Sequence, residues 1–401
     1  MTKMLQHRFT VRLLTPAFLG DAEQSARWRT PPFKHLLRQW WRVVWAADHN
    51  FANDIAAMRR EEGLLFGHAW LEGDNFERDG REVTTTARKS QVRLRLDSWA
   101  VGKLRSWDGL ERGTVHHPET EKTGYKVGPH AYLGYGPLDG RGGTCFSKKI
   151  NAAIQAGESA VFSLAMPENV APAIAKALGL MDRYGTLGGR SRNGWGSFML
   201  IPQDDTGPLE VDLPLRPWKD CLDRDWPHAI GLDERGPLIW QTAPHADWKA
   251  LMRTLAIIKI GLRTQFVLEL RSDHGDKPKG GQAGIDHGRP QDRHWLSYPV
   301  TNHLVRSWGS NVRLPNSLRF KIRALPDGRL AGAIFHVPCL PPALFRPDLQ
   351  AIIKTWGAVH ALLDELTLEP KQRGYRIIAD ADRRTKLKPG LDGVTLQRSM
   401  E

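Results

Sequence analysis

A glycine-rich run with two arginines is the part of this sequence best suited to binding chemistry. It extends from Leu187 to Gly196 and combines four glycines with Arg190, Ser191 and Arg192. Glycines let backbone N–H groups approach a ligand closely, and arginine side chains donate charge-assisted hydrogen bonds to phosphate oxygens. The run therefore predicts a loop that contacts the sugar-phosphate backbone of a nucleic acid.

The same run does not match the common nucleotide-binding or nucleophile motifs. A Walker A loop requires Gly-Lys-Ser/Thr, and a dinucleotide fingerprint lies between a first strand and a helix, whereas this run lies between a predicted helix and a predicted strand. A nucleophile elbow requires Gly-x-Ser-x-Gly, and Asn193 stands where the last glycine should be. A solvent-exposed turn whose arginines only aid solubility is the simpler alternative.

A second group of positive charges lies on a predicted amphipathic helix with Thr30 as N-cap and Pro31 as its first residue. Its other face carries Lys34, Arg38 and Arg42, and no acidic residue occurs from position 24 to position 47. Uncompensated charge of this kind favours phosphate contacts, although a solvated polar face is the ordinary alternative. The apolar residues that recur at helical spacing are Phe33, Leu36, Leu37, Trp40, Trp41 and Val44.

Residues suited to catalysis or metal binding give weaker patterns. His35 begins the same helix and could serve as a general acid or base in metal-independent RNA cleavage, or simply lie at the surface. Asp380 and Asp382 fit a solvated turn better than a catalytic pair. No metal, cofactor or disulfide is predicted, because neither five histidines in predicted loops nor the three cysteines match a standard ligand spacing; they are His116, His117, His274, His287, His294, Cys145, Cys221 and Cys339.

Composition favours a polyanionic partner. The chain has 401 residues, a formal net charge of +13 and a sequence pI near 9.8, which is typical of nucleic-acid binding. No apolar run reaches the roughly 20 residues that a membrane-spanning helix needs, and the N-terminus lacks a signal-peptide pattern. We therefore expect a cytoplasmic protein with no membrane partner. The length predicts two domains, which we assign to residues 1–215 and 216–401.

Periodicity predicts an α+β fold. In the first half, strands near 7–14, 91–96, 160–165 and 197–201 alternate with helices near 30–44 and 167–181, giving the order β-α-β-β-α-β of a ferredoxin-like, RRM-like domain. Residues 102–145 are expected to form a long loop insertion, with a short hairpin near 131–135, and residues 272–293 a mobile loop.

The second half shows a similar mixture of elements. Helices are predicted at 248–263 and 347–366, and Pro326-Asp327-Gly328 predicts a hairpin between strands at 318–324 and 330–337. The second half is therefore also predicted to be α+β. A degenerate repeat of the first half is one interpretation, although no clear self-similarity is visible in the sequence.

Two segments of the first half resemble the RAMP superfamily of CRISPR proteins. One begins as Thr15-Pro16-Ala17-Phe18-Leu19-Gly20 and continues into Arg29-Thr30-Pro31-Pro32; the other is the glycine-rich run itself. Leu65-Phe66-Gly67 is similar to a further short family segment. Within the superfamily, the first subunit of the type III-B Cmr effector complex is the most similar group. The chain departs from that group where Thr186 and Gly189 replace the usual residues of the loop, and in its two long insertions.

The resemblance implies two ferredoxin-like RAMP domains and a place in a type III CRISPR ribonucleoprotein, near the 3′ end of the guide RNA (crRNA) or of the guide–target duplex. It implies other effector subunits as partners. RAMP backbone subunits that cleave target RNA use a loop aspartate, and no residue of this sequence can be placed in that role, so we predict binding without catalysis. The residues that it and the loop chemistry assign to RNA binding are Arg29, Lys34, Arg38, Arg42, Gly188, Gly189, Arg190, Ser191, Arg192 and Asn193. A metal-independent endoribonuclease that processes guide RNA, or a target-RNA-cleaving backbone subunit, remains the alternative.

Overall fold

The computed structural model describes residues 3–69, 75–78, 80–84, 87–111, 113–120, 124–140, 143–204, 206–269 and 285–399. Its fold is mixed α+β, which confirms the predicted class. No helix in these ranges is long and apolar enough to cross a membrane.

The helices are α1 (Thr30–Asp48), α2 (Ile55–Phe66), α3 (Pro129–Gly134), α4 (Ala171–Tyr184), α5 (Trp248–Thr264), α6 (Asp292–Leu296), α7 (Leu349–Glu365) and α8 (Ala381–Asp392). The strands are β1 (Met4–Leu13), β2 (His68–Ala69), β3 (Asn75–Arg78), β4 (Arg81–Thr84), β5 (Ala87–Arg88), β6 (Arg93–Leu96), β7 (Leu138–Asp139), β8 (Cys145–Phe146), β9 (Ser159–Pro167), β10 (Phe198–Gln203), β11 (Leu215–Pro217), β12 (Ile230–Asp233), β13 (Gly236–Pro237), β14 (Ile239–Thr242), β15 (Ile285–His287), β16 (His303–Val305), β17 (Leu318–Ala324), β18 (Leu330–His336) and β19 (Leu396–Arg398).

The chain forms two compact units, each made of three separate stretches of the sequence. The first unit comprises Met1–Ser106, Phe146–Leu215 and Lys321–Ala324; the second comprises Trp107–Cys145, Arg216–Phe320 and Leu325–Glu401. Most of the predicted insertion at 102–145 therefore belongs to the second unit. Independent folding of residues 1–215 and 216–401 as domains stays a prediction.

The first unit is built on a four-stranded sheet in the order β10-β1-β9-β6. Strand β1 pairs antiparallel with β10 on one side and β9 on the other, and β6 pairs antiparallel with β9. Counting only these four strands along the chain, the spatial order is fourth, first, third, second. The inward residues of β1, Phe9, Val11 and Leu13, are all buried, as period-2 alternation requires.

Helices α1 and α4 pack against each other in this unit. The apolar stripe predicted for α1 is buried, including Phe33, Leu37 and Trp40. The helix begins at Thr30 with Arg29 at the N-cap position, so the predicted Thr30 cap is wrong by one residue. Two prolines at the start make this offset harmless, because the first N–H groups of a helix have no intrahelical partner.

The predicted hairpin near 131–135 is wrong. Residues Pro129–Gly134 form helix α3, which starts at a proline and packs against α5 in the second unit. Leu133 and Trp107 are buried there, and so is the apolar side chain of Leu138. The low density of apolar residues in this stretch suggested a loop, but several of those present are buried in a core.

Another four-stranded sheet, in the order β17-β18-β14-β19, lies in the second unit except for Lys321–Ala324 of β17, which belong to the first unit. Strand β14 pairs antiparallel with both β18 and β19. Along the chain the elements run β14, α5, β17, β18, α7, β19, so this sheet also has the spatial order fourth, first, third, second. The predicted hairpin of β17 and β18 and the two predicted helices are confirmed.

The stretch predicted as a loop at 272–293 is described only from residue 285 onward. In that part, β15 pairs in parallel with β16, and α6 begins at the fifth residue after the end of β15. Residues 270–284 lie outside the described ranges, so the prediction for that part stays open.

Candidate nucleic-acid interface

The glycine-rich loop connects α4 to β10, and its backbone conformation explains its glycines. Gly188, Gly194 and Gly196 have positive φ angles, as does Arg190 at φ +56°. At Gly196 an added Cβ would lie 1.9 Å from the carbonyl oxygen of Leu187, which no side chain can accommodate. The loop therefore has one tightly specified path, and glycine is required at that point of it.

The loop packs on the segment Thr15–Gly20, so two stretches that are distant in sequence form one surface. The N–H of Gly189 donates to the carbonyl of Phe18 at 2.9 Å, and the N–H of Gly196 donates to that of Pro16 at 2.9 Å. The hydroxyl of Thr15 donates to the carbonyl of Gly194 at 2.8 Å. Both stretches that carry the family resemblance thus belong to the same structural feature.

The residues predicted to bind RNA differ in their exposure within this loop. Arg190, Arg192 and Gly188 are exposed, and Gly189 and Ser191 are partly so. Asn193 is buried, with 9% of its surface exposed, and its N–H donates to the carbonyl of Arg190 at 2.9 Å. The exposed arginine side chains are accessible to a ligand, whereas Asn193 lies inside the turn. RNA contact through these residues stays a prediction.

A buried residue that no sequence motif singled out, Lys321, also contacts both ends of the loop. The ammonium of Lys321, which is fully buried, donates to the carbonyls of Gly185 at 2.5 Å and Phe198 at 2.6 Å, on either side of the loop. It also lies over the ring of Phe198, 4.2 Å from its centroid. Burial lowers the pKa of Lys321 to about 7, against a smaller opposing effect of Asp182.

The basic face of α1 has an acidic partner after all. Glu62 of α2 is almost fully buried and accepts hydrogen bonds from Nε of Arg38 at 2.8 Å and from Nε of Arg42 at 3.0 Å. The ammonium of Lys34 donates to the carbonyl of Phe66 at 2.7 Å. The predicted absence of a compensating acid held for the helix itself, but tertiary packing supplies one carboxylate for the three cations.

These contacts leave the face positive and partly accessible. The side chains of Arg38 and Arg42 remain 35% and 37% exposed, and one carboxylate does not neutralise three cations. Burial, and then the nearby Arg38, lower the pKa of Lys34. RNA contact through this face stays a prediction, with part of each arginine's hydrogen-bonding capacity already used by Glu62.

Arg29 lies where α1 meets the Thr15–Gly20 segment. It is the N-cap residue of α1, and its Nε is buried without a hydrogen-bond acceptor among the described residues. Its neighbour Arg27 donates its N–H to the carbonyl of Leu19 at 3.3 Å and its Nε to Asp21 at 3.3 Å.

The candidate catalytic residues are separate from the loop. His35 is exposed on α1 and contacts Gln39 through their side-chain nitrogens at 2.7 Å; burial, followed by the charges of Arg38 and Arg42, lowers its pKa. Asp380 caps α8, and Asp382 pairs with Lys386 at 2.9 Å. Neither aspartate is arranged as a catalytic pair.

Several of the loop histidines, whose spacing matches no standard metal motif, make ring contacts in the structure. His287 and His294 lie with their rings 5.2 Å apart, and His117 packs on Tyr132, while His274 falls outside the described residues. Across the described ranges, no group of three or more acidic, histidine or cysteine side chains is arranged to hold a metal ion. The expectation of no metal remains a prediction.

Comparison with known proteins gives structural matches only. No family model and no curated protein sequence matches the chain. The crystal structure of Cmr1 from Pyrococcus furiosus, in its apo form, matches with a TM-score of 0.41 and 14% identity, covering 86% of this chain and 92% of that one. A chain of the type III-B Cmr-beta complex bound to cognate target RNA matches with a TM-score of 0.44 and 12% identity, over 83% of this chain and 94% of that one.

A second structure of that complex, with target RNA and AMPPnP in the presence of ssDNA, gives a TM-score of 0.41 and 11% identity over 89% of this chain and 100% of its own. The matched structures are thus a Cmr1 protein and chains of type III-B Cmr-beta complexes.

Proposed function

We propose that this chain is a non-catalytic RNA-binding subunit of a type III CRISPR ribonucleoprotein effector, similar in role to the first subunit of a Cmr complex. It contacts guide RNA or the guide–target duplex near the 3′ end and assembles with other effector subunits. The observation that carries the proposal is the joining of the glycine-rich loop to the Thr15–Gly20 segment, with Arg190 and Arg192 exposed beside backbone that only glycine can form.

Two further features support this proposal. The formal net charge of +13 provides the long-range attraction that a polyanion requires. Each unit contains a four-stranded sheet whose strands lie in the order fourth, first, third, second, and we infer that both are ferredoxin-like RAMP domains.

The test is binding of labelled guide RNA across a salt series by wild type and by the double variant Arg190→Ala/Arg192→Ala. Each phosphate contact on a single strand contributes about 0.7 to the slope of log K against log salt concentration, so we expect the slope to fall by about 1.4 and the affinity by about tenfold. The thermal midpoint should remain close to that of wild type, because both side chains are exposed.

The matched control is Lys148→Ala/Lys149→Ala, which removes two exposed charges of the same unit that are not part of the loop. Equal losses in the two double variants would show that only net charge matters, and would contradict the assignment of the loop.

The alternative is a metal-independent endoribonuclease that uses His35, whose exposure leaves it accessible to RNA. Incubating the protein with repeat RNA and a chelator separates the two functions. Intact RNA recovered after binding supports the binding subunit, whereas cleavage that His35→Ala abolishes would establish the nuclease. Cleavage that requires a divalent ion and falls at fixed spacing would instead indicate a target-cleaving subunit.

A further inference from the structure

Trp99 is unusual among the tryptophans of this chain because its side chain faces solvent. It is 61% exposed, and every other tryptophan in the described ranges is buried or half-buried. A single exposed apolar residue needs no special explanation by itself. Its position and its charged surroundings are what make it informative.

The position of Trp99 is fixed by an antiparallel pairing that leads back to the glycine-rich loop. Arg27 pairs with Val101, and the N–H of Trp28 donates to the carbonyl of Ala100 at 3.0 Å. This register places Trp99 opposite Arg29. The guanidinium of Arg27 also donates to the carbonyl of Trp99 at 3.1 Å, which holds the tryptophan backbone in place.

The segment opposite Trp99 is itself paired with the surface described above. Gly20 pairs with Ala26, and the N–H of Arg27 donates to the carbonyl of Leu19. Phe18, in the same segment, accepts from Gly189 of the loop. Three successive backbone pairings at a spacing of about 4.8 Å separate the loop from Trp99, a distance of roughly 15 Å. A few nucleotides of extended RNA can cover that distance.

Exposed cations lie on the same segment as Trp99. Lys103 and Arg105 follow it along the chain, and both are exposed. Three carboxylates also lie nearby: Asp97 accepts from the N–H of Val161 at 2.7 Å, Asp21 accepts from the N–H of Ser25 at 2.9 Å and pairs with Arg27, and Glu158 accepts from the N–H of Lys103 at 2.8 Å. An exposed indole with exposed cations on the same segment is a combination that single-stranded nucleic-acid sites use, with bases on the aromatic ring and phosphates on the cations.

We propose that Trp99 is a stacking platform for an unpaired RNA base next to the phosphates held by the glycine-rich loop. The inference rests on the proposed function, since it names a base contact of that same RNA. The indole face accepts any of the four bases, so the site contributes affinity and no sequence preference.

The experiment measures binding of a labelled single-stranded oligoribonucleotide of mixed sequence to the full-length protein carrying Trp99→Ala, Trp99→Leu or Trp99→Phe. Stacking on one aromatic ring corresponds to about a tenfold change in affinity. We expect the Ala and Leu variants to lose about this factor with an unchanged salt slope, because no charge is removed. Trp99→Phe should recover most of the affinity. Tyr135→Ala, which removes another aromatic residue that is 61% exposed, is the control.

Several results would overturn the inference. Wild-type affinity in Trp99→Ala would exclude a base contact, and equal affinities of the Leu and Phe variants would show that the aromatic ring is not stacked. Loss of effector subunits from the purified assembly, with RNA binding unchanged, would assign Trp99 to a protein interface. In each case the loss caused by Arg190→Ala/Arg192→Ala would still stand, whereas failure of wild type to bind RNA would reject the proposed function together with this inference.

Discussion

At the scale of single residues, electrostatics in this chain depends on partners that lie far away in sequence. Arg38 and Arg42 share the carboxylate of Glu62, which lies at least 20 positions away on another helix. Counting the charges along α1 could not reveal this arrangement, because the count includes only residues of that helix and Glu62 lies on α2. Lys321 shows the same effect, since it holds a loop more than 120 positions earlier in the chain.

Replacing Glu62 with glutamine separates the structural from the RNA-binding role of the basic face. The change removes the only carboxylate paired with Arg38 and Arg42 in the described structure, and we expect a loss of about 2 kcal/mol in unfolding free energy, because both arginines are about one-third exposed. If the face contacts RNA, the freed arginines should bind more tightly and with a steeper salt slope. Chemical denaturation and RNA titration measure the two effects.

The control for this change is Glu61→Gln, which alters the same charge one position earlier, where the carboxylate bonds to Trp45. A stability loss in Glu62→Gln without any gain in RNA affinity would show that the basic face serves packing alone.

Lys321 should make stability depend on pH. Burial lowers its folded pKa to about 7 from an ordinary value of 10.5, so the unfolded chain binds more protons between these values. Stability therefore rises with pH across that window, by at most about 1.4 kcal/mol per pH unit. Below the window both states are protonated, so Lys321 no longer makes stability change with pH.

Lys321→Met should remove this component, so the difference in unfolding free energy between wild type and variant should change between about pH 7 and pH 10. Denaturant titrations across that range provide the measurement. Lys321→Arg, which remains charged throughout, is the comparison that separates titration from packing. Parallel pH profiles for wild type and both variants would refute the buried ammonium as the titrating group.

At the scale of elements, the glycine-rich loop is determined by backbone geometry more than by its charges. Gly196 adopts φ +65° and packs directly on the Leu187 carbonyl. The loop's two ends are then tied together by the hydrogen bond from Leu187 N–H to the Gly196 carbonyl, at 3.0 Å. The arginines can project from a defined position only because this turn is rigid.

Gly196→Ala tests the importance of that turn. A Cβ at this position cannot fit without moving backbone, and the left-handed conformation adds its own cost, so we expect a loss of about 2–4 kcal/mol and weaker RNA binding. Thermal unfolding and RNA titration report the two changes. Gly207→Ala is the control, since an added Cβ there meets no atom within 4 Å. Similar behaviour of the two variants would mean that the loop tolerates displacement.

At the scale of the whole molecule, the two units repeat one strand order with different sequences. Each four-stranded sheet has a helix after its first and third strands. Residues 107–145 illustrate how an insertion can become part of a core. Glu119, in that stretch, pairs with Arg293 at 2.5 Å and with Arg383 at 3.5 Å, so three distant segments meet within the second unit.

Glu119→Gln should destabilise the second unit, because Arg293 is 5% exposed and would lose its only described carboxylate partner. Loss of one member of such a pair costs about 2–4 kcal/mol. Burial by itself raises the pKa of Glu119. The charges of Arg293 and then Arg383 together outweigh burial, so the pKa lies below its ordinary 4.5. The contribution is therefore complete above that value and lost as pH falls through the lowered pKa.

Unfolding monitored near neutral pH measures this loss, with exposed Glu234→Gln in the same unit as the control. An unchanged midpoint for Glu119→Gln would show that residues 107–145 are not integral to the second unit.

The sequence by itself determined the features that depend on neighbours along the chain. Strand alternation in β1, the apolar stripe of α1, the β17–β18 hairpin and the glycine-rich loop all follow from local spacing, because side-chain periodicity and turn chemistry act over a few residues. Only the tertiary structure decided the rest. It paired Glu62 with the basic face, placed Lys321 beneath the loop, left Trp99 exposed and built residues 107–145 into a core, since each depends on contacts between residues that are far apart in sequence and close in space.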